Sequence, residues 1–172
     1  MATDGFTAFN YGNAARSGSA LVDSQVGTPG TGIDTLMNVL LTGYINNNPN
    51  TVTHVLMNWG ANDMENTLVE ATWVSQYGAL ISYCHTRFPN AKFYLSYPWR
   101  RGYDSQAATL HGWINTVIAN ANAAGIVTFA GVDEAVTIKA GDDGATNTDF
   151  GVHYSAAGAA AYAAAMKTIL GY

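Results

Sequence analysis

Hydrophobic positions along the chain fall into short apolar runs that alternate with segments whose apolar residues recur at three and four. Val52, Val55, Leu56, Met57 and Trp59 make a run rich in β-branched and large side chains, preceded by the turn-like Asn46-Asn47-Asn48-Pro49-Asn50, which is the pattern of a buried strand. The run stops at the small polar loop Gly60-Ala61-Asn62-Asp63. Upstream, Phe6 to Tyr11 is a short strand candidate that leads into a loop of small residues through Ser19, and a second loop runs from Gly27 to Gly32. Ile33, Leu36, Met37, Leu40, Leu41 and Tyr44 then share one face of a helix expected near Ile33 to Ile45.

Downstream the same alternation continues. Trp73, Tyr77, Leu80, Ile81 and Cys84 predict a helix from about Glu70 to Phe88, closed by Pro89-Asn90. Lys92 to Tyr97 reads as a strand that stops at Pro98. A further helix is expected over Ser105 to Ala124, with Leu110, Trp113, Val117, Ile118 and Ala121 as its stripe and Gly125 at its end. Ile126 to Val132 is the last strand, Asp133 to Gly151 a loop, and Ser155 caps an Ala-rich helix to Leu170 with Tyr162, Met166 and Ile169 as its packing face. Strands separated by helices of this length imply βαβ units with right-handed crossovers, hence an α/β fold in three layers with a mostly parallel sheet.

Composition narrows the partners. With 172 residues, 48% of them hydrophobic, and no linker, the expectation is a single domain over 1–172 with a sizeable core. Seven basic against twelve acidic residues give a formal charge of −5, spread without runs of one sign, which argues against nucleic acid and anionic membrane as partners. No segment has the length of a membrane span, and the amino terminus has no basic and apolar leader. Only 11% of residues are charged, a balance that suits a secreted or virion-associated protein better than a cytosolic one. The single cysteine, Cys84, falls on an apolar stripe and reads as a small buried side chain.

Of the four histidines, His54 lies in a strand and His85 and His111 lie on helices, where a structural role is the better reading. Cys84 and His85, adjacent on a helix, diverge by about 100°, so no metal site is expected, and no cofactor is implied. His153 differs in position. It stands just before Ser155 at the start of the last helix, with Asp149 on the Gly-containing loop before it. In open α/β sheets the loops at the carboxyl ends of the strands bind ligands. The loops at Gly18, Asn62 and His153 all fall at such ends.

These three stretches carry a resemblance. Arg16-Ser17-Gly18-Ser19, Gly60-Ala61-Asn62-Asp63, and Asp149-Phe150-Gly151-Val152-His153-Tyr154-Ser155 followed by Ala156-Ala157-Gly158 resemble, in this order, the second, third and last blocks of the SGNH (GDSL-type) hydrolases. The match runs from about residue 6 to residue 170. It implies a flavodoxin-like α/β/α sandwich and a serine esterase chemistry, such as removal of acyl or acetyl groups from a carbohydrate. By the same resemblance His153 is the general base, Gly18 and Asn62 are the oxyanion-hole donors, and Asp149 is the carboxylate that orients the imidazole.

The sequence departs from the family pattern in two places. The position three residues before His153 is Phe150, and Asp149 stands one step earlier, with Asp142 and Asp143 as weaker substitutes. The first block, a Gly-Asp-Ser after the central first strand, is absent. Val22-Asp23-Ser24 is the one Asp-Ser pair with apolar residues ahead of it, which makes Ser24 a weak nucleophile candidate, with Ser17 and Ser19 weaker still. The expectation is therefore an esterase whose serine lies on a segment outside this chain, with the place of the first strand filled either by another polypeptide segment or by rearranged amino-terminal residues. The alternative is an inactive module of the same fold serving as a glycan-binding or structural component, for example of a virus particle. Tyr97-Pro98-Trp99-Arg100-Arg101-Gly102-Tyr103 reads equally as a sugar-stacking edge and as a packed loop.

Overall fold

The computed structural model describes Leu21, residues 48–139 and residues 154–172, with 148, 149 and 153 described as backbone alone. Its elements in chain order are β1 (His54–Met57), α1 (Glu70–Arg87), β2 (Lys92–Tyr97), α2 (Asp104–Ala123), β3 (Thr128–Asp133), the short α3 (Glu134–Thr137), the two-residue β4 (Thr148–Asp149) and β5 (His153–Tyr154), and α4 (Ala156–Leu170). The strands β1, β2 and β3 pair in that order and all in parallel. Parallel neighbours need a long crossover between them, and α1 and α2 supply it. The class is α/β, as the alternating pattern implies.

Helices cover both faces of this sheet. Phe93 meets His85 of α1 edge-on at 6.2 Å, so the face bearing Phe93 and Leu95 lies under α1 and α2. Alternate residues of a strand point oppositely. Ser96 accordingly reaches Tyr162 of α4 from the other face, hydroxyl to hydroxyl at 2.6 Å. β2 is buried on both sides through Phe93, Tyr94, Leu95 and Ser96 and is the centre of the described sheet. The stripe of α1 is as its spacing predicts, with Trp73, Tyr77, Leu80, Ile81 and Cys84 all buried. On α2 the stripe is rotated slightly, since Ala107 and Ile114 are buried while Trp113 and Ile118 are half-covered. Each large side chain so enclosed contributes about 1.5–3 kcal/mol.

Other departures from expectation have local causes. β1 is less enclosed than its apolar composition implies. Leu56 is 49% exposed and Phe129 43%, on the sheet face opposite Phe93, where Tyr94 stands between them in register. β3 begins at Thr128 rather than Ile126 because Ile126 still donates to Ala121 O at the end of α2, and the Asn122 side chain brackets Thr128 by bonding both its N–H and its carbonyl. Past β3, Asp133 accepts from Ala135 and Val136 N–H groups and caps α3, a turn of helix where the sequence pattern predicts loop. The register shifts between Leu95 and Tyr97, opposite Gly131. A Cβ on Gly131 would lie 2.8 Å from Ser96 Oγ and 2.9 Å from Leu95 backbone, so this irregularity admits glycine alone.

Strand Phe6 to Tyr11, helix Ile33 to Ile45, and the place of the expected missing first strand lie outside the described residues, as do Ser17, Gly18, Ser19, Ser24, Asp142 and Asp143. Among the described residues no helix is long and apolar enough to cross a membrane. Cys84 is a buried free thiol whose pKa burial pushes up to about 12, so it is inert as a nucleophile.

Candidate active site

The loop after β1 is shaped by one glycine and one carboxylate. Gly60 has φ 121°, and a Cβ there would meet Pro98 Cγ at 3.0 Å and Leu110 Cδ1 at 3.3 Å, so both backbone and space require glycine. The chain then turns through a 3₁₀ segment, Asp63–Glu65, with Asn62 at its amino end and half-buried. Asp63 is fully buried, and its Oδ2 accepts the N–H of Leu21 at 2.9 Å, so the carboxylate ties this loop to the segment that follows Ser19. The sequence reading gave Asp63 no role. Its signal was available, since an acid set between Trp59 and Met64 in a tight loop must be hydrogen-bonded if it is enclosed.

His153 sits in β5, which pairs antiparallel with β4 so that His153 and Asp149 are directly opposed in the ladder, with Thr148 opposite Tyr154. Sequence spacing alone left Asp149 one residue out of the family position. The backbone register makes it the residue facing His153.

Between these two loops lies a cluster that sequence reasoning missed. Glu134, the first residue past β3, is 2% exposed. Its Oε1 accepts the Asn58 side-chain amide at 2.5 Å and the Tyr154 hydroxyl, and its Oε2 accepts the Trp99 backbone N–H at 2.9 Å. Asn58 also donates to the Tyr154 hydroxyl at 3.0 Å. Tyr154 stacks on Tyr162 with ring centroids 5.6 Å apart. Asn58, Trp99 and Glu134 each follow the end of a parallel strand, so one carboxylate gathers the carboxyl edge of the sheet and the arm that bears His153. Burial raises the Glu134 pKa above the usual carboxylate range, against the pull of the Tyr154 hydroxyl, the Trp99 N–H and the Asn58 amide. Tyr154 as a whole is 37% exposed, yet its phenol is driven well up by the enclosure of its hydroxyl and by the Glu134 charge, and Tyr162 is raised to about 12, mainly by burial.

The remaining candidates take structural roles. His54 stacks on Tyr94 at 5.7 Å, and His111 Nε2 lies 3.0 Å from the Pro98 carbonyl. Trp99 is buried and donates its indole N–H to Asp104 Oδ1 at 2.8 Å, while Arg100 pairs with Glu65 at 2.5 Å and lies over the Tyr103 ring. The 97–103 stretch is thus a packed loop with Trp99 turned inward. Beside the Asn62 loop, a cavity of about 280 Å³ opens between Met64, Asn66 and Leu68 and the α2 residues Gln106, Leu110 and Trp113. Among the described residues no three His, Cys, Asp or Glu side chains gather to hold a metal.

No family model matches the chain, and no curated protein matches it in sequence. Solved structures match its fold. An active-site mutant of a family two carbohydrate esterase from Clostridium thermocellum superposes with a TM-score of 0.56 at 20% identity over 69% of this chain. A second structure, of a family two carbohydrate esterase from Clostridium thermocellum in complex with cellohexaose, gives 0.52 at 22% identity over the same share. The chain spans 35% of the length of each, and at such identity the likeness is one of fold: the α/β architecture is shared with these structures.

Proposed function

We propose that the chain is an SGNH-type ester hydrolase that removes acyl groups from a carbohydrate, with His153 as general base, Asn62 and Gly18 as oxyanion donors, and Asp149 orienting the base. The observation that carries this reading is the Glu134 cluster, which links the strand end leading to Asn62 with the arm that bears His153 through Asn58 and Tyr154. The register that opposes Asp149 to His153 supports the third role. The fold shared with carbohydrate esterases supports the substrate class.

The chemistry asks for each part. A serine hydroxyl attacks the ester carbonyl carbon as His153 takes its proton, and the carbonyl oxygen becomes an oxyanion held by the Asn62 amide and the Gly18 N–H. The intermediate collapses by breaking the bond to the sugar oxygen, which receives the proton from His153. Water, deprotonated by His153, then attacks the acyl-serine and releases the carboxylic acid and the free serine. The serine itself is Ser24 or belongs to another segment.

The absence of a Gly-Asp-Ser block favours a second reading, in which the same fold binds glycan without cleaving it. Hydrolysis of an aryl acetate, together with labelling by a serine-directed fluorophosphonate, separates the two. The esterase reading expects His153→Ala to abolish hydrolysis and Asn62→Ala to lower kcat by about 10²–10³. Hydrolysis that survives His153→Ala unchanged overturns the mechanism, and a chain that neither hydrolyses nor labels supports the binding module.

A further inference from the structure

Asn58, Trp99, Glu134 and Tyr154 are scattered through the chain, with Asn58 76 residues from Glu134 and Tyr154 20 residues beyond it. None of the four belongs to a block of the family resemblance that assigns it a role. Yet a carboxylate this enclosed, with three donors on two oxygens, is costly unless its partners are held. Its partners are significant for where they sit. Asn58 precedes Gly60, whose conformation starts the turn to Asn62, and Tyr154 directly follows His153. Tyr154 lies on a two-residue strand, too short to fix its own position, and its hydroxyl is the tie to the sheet edge.

We infer that Glu134 is a positioning residue, which sets the His153 arm against the Asn62 loop by receiving the Tyr154 hydroxyl and the Asn58 amide on one oxygen while the Trp99 N–H fixes the other. This inference rests on the esterase reading for its catalytic consequence, though not for its geometry. Misplacement of a catalytic group by about 1 Å can cost roughly 10²-fold in rate. A positioning residue therefore acts on kcat and leaves substrate binding alone. Trp99 N–H needs an acceptor whatever the arm does, so the Tyr154 hydroxyl is the contact to remove. Tyr154→Phe takes away that hydroxyl and keeps the ring stacked on Tyr162.

The test uses the whole chain, as wild type, Tyr154→Phe, Glu134→Gln and the double variant. His54 on β1 and His85 on α1 give an internal control; His111 does not, because it contacts the Pro98 carbonyl next to Trp99 and interacts electrostatically with Glu134. The expected result is a shift of the His153 imidazole resonance and its titration in Tyr154→Phe with those of His54 and His85 unmoved. Alongside it, kcat should fall by roughly 10- to 100-fold at unchanged KM. The double variant should be no worse than the poorer single one, as expected of residues that act as a unit. A His153 resonance and titration unchanged in both single variants overturns the inference, as does a loss spread additively over the two. Wild-type protein that hydrolyses no ester sinks the esterase reading alone, since the imidazole resonance still reports whether the arm is held.

Discussion

Under α1 and α2 the sheet is closed by Trp73, Tyr77, Leu80, Ile81 and Phe93, all buried and apolar or nearly so, whereas at the carboxyl ends of the strands the contacts that matter converge on one charged side chain, Glu134. The first region spreads its contacts over many side chains. Removing one side chain there costs packing, but the neighbours still exclude water. The second region does not, because Glu134 serves three donors at once, and the Trp99 N–H and the Tyr154 hydroxyl lose the same acceptor together with it. An enclosed carboxylate also adds little net stability compared with apolar packing, so its three bonds to separate loops bear on placement of those loops more than on holding the fold. The comparison predicts different responses to substitution on the two sides.

The largest effect belongs to the apolar side. Trp73 is fully buried and meets Tyr77 edge-on at 5.2 Å and Trp113 at 6.0 Å. Trp73→Ala should lower unfolding stability by about 3–5 kcal/mol, the range for a large aromatic truncated in a core. Urea unfolding measures it. A loss below that of Glu134→Ala would reverse the ranking of the two regions and with it the claim that the α1 face holds the fold.

That face was legible in advance because its information is local. Trp73, Tyr77, Leu80, Ile81 and Cys84 recur at helical spacing within one element, and their burial follows from that periodicity. The stripe of α2 was read less well because Trp113 is large enough to suggest the core while Ile114, beside it, occupies it. The Glu134 cluster could not be seen this way. Trp99 and Glu134 are 35 residues apart and Asn58 and Tyr154 are 96 apart, and Asn58, Trp99 and Glu134 each follow a strand end, where spacing reports only the end of a pattern. The Asn62 and His153 stretches were singled out by block order, a signal that comes from the resemblance and not from periodicity. Asp63, within the same block, went unread because hydrogen bonding to a backbone N–H as distant as that of Leu21 leaves no periodic trace.

An intermediate effect is expected at Glu134, and it carries a pH signature that the apolar face lacks. Glu134→Ala leaves the buried Trp99 N–H without its acceptor, a loss of about 1–3 kcal/mol. Burial raises the native pKa of Glu134 above its unfolded value of about 4.3, so the native state holds the proton more tightly than the unfolded chain does. Its contribution is therefore complete below the unfolded pKa and is lost as pH rises through the native one. Glu134→Gln cannot titrate. The stability of Glu134→Gln relative to wild type should accordingly increase as pH rises from about 4.3 into the raised range, and stay level for a Trp73 variant across the same series. A flat difference between Glu134→Gln and wild type would mean that the carboxylate is ionised in the fold at no cost, contrary to its enclosure.

The smallest effect tests a local bond at the polar edge. Ser155, next after Tyr154, has extended backbone and accepts the Gly158 N–H on its Oγ at 3.1 Å, so it satisfies one of the amides that α4 leaves open at its start. This was readable from sequence because donor and acceptor lie three residues apart. If the polar edge owes its fragility to long-range ties, then a short-range one there should behave as helix caps do elsewhere. Ser155→Ala should cost about 1 kcal/mol and Ser155→Asp nearly nothing, since aspartate caps as well and suits the positive end of the helix. Thermal unfolding of the pair measures the difference. A Ser155→Ala loss as large as that of Trp73→Ala would show that α4 and the His153 arm unfold together as one tie, and would place the boundary between the two regions at the start of that helix rather than at Glu134.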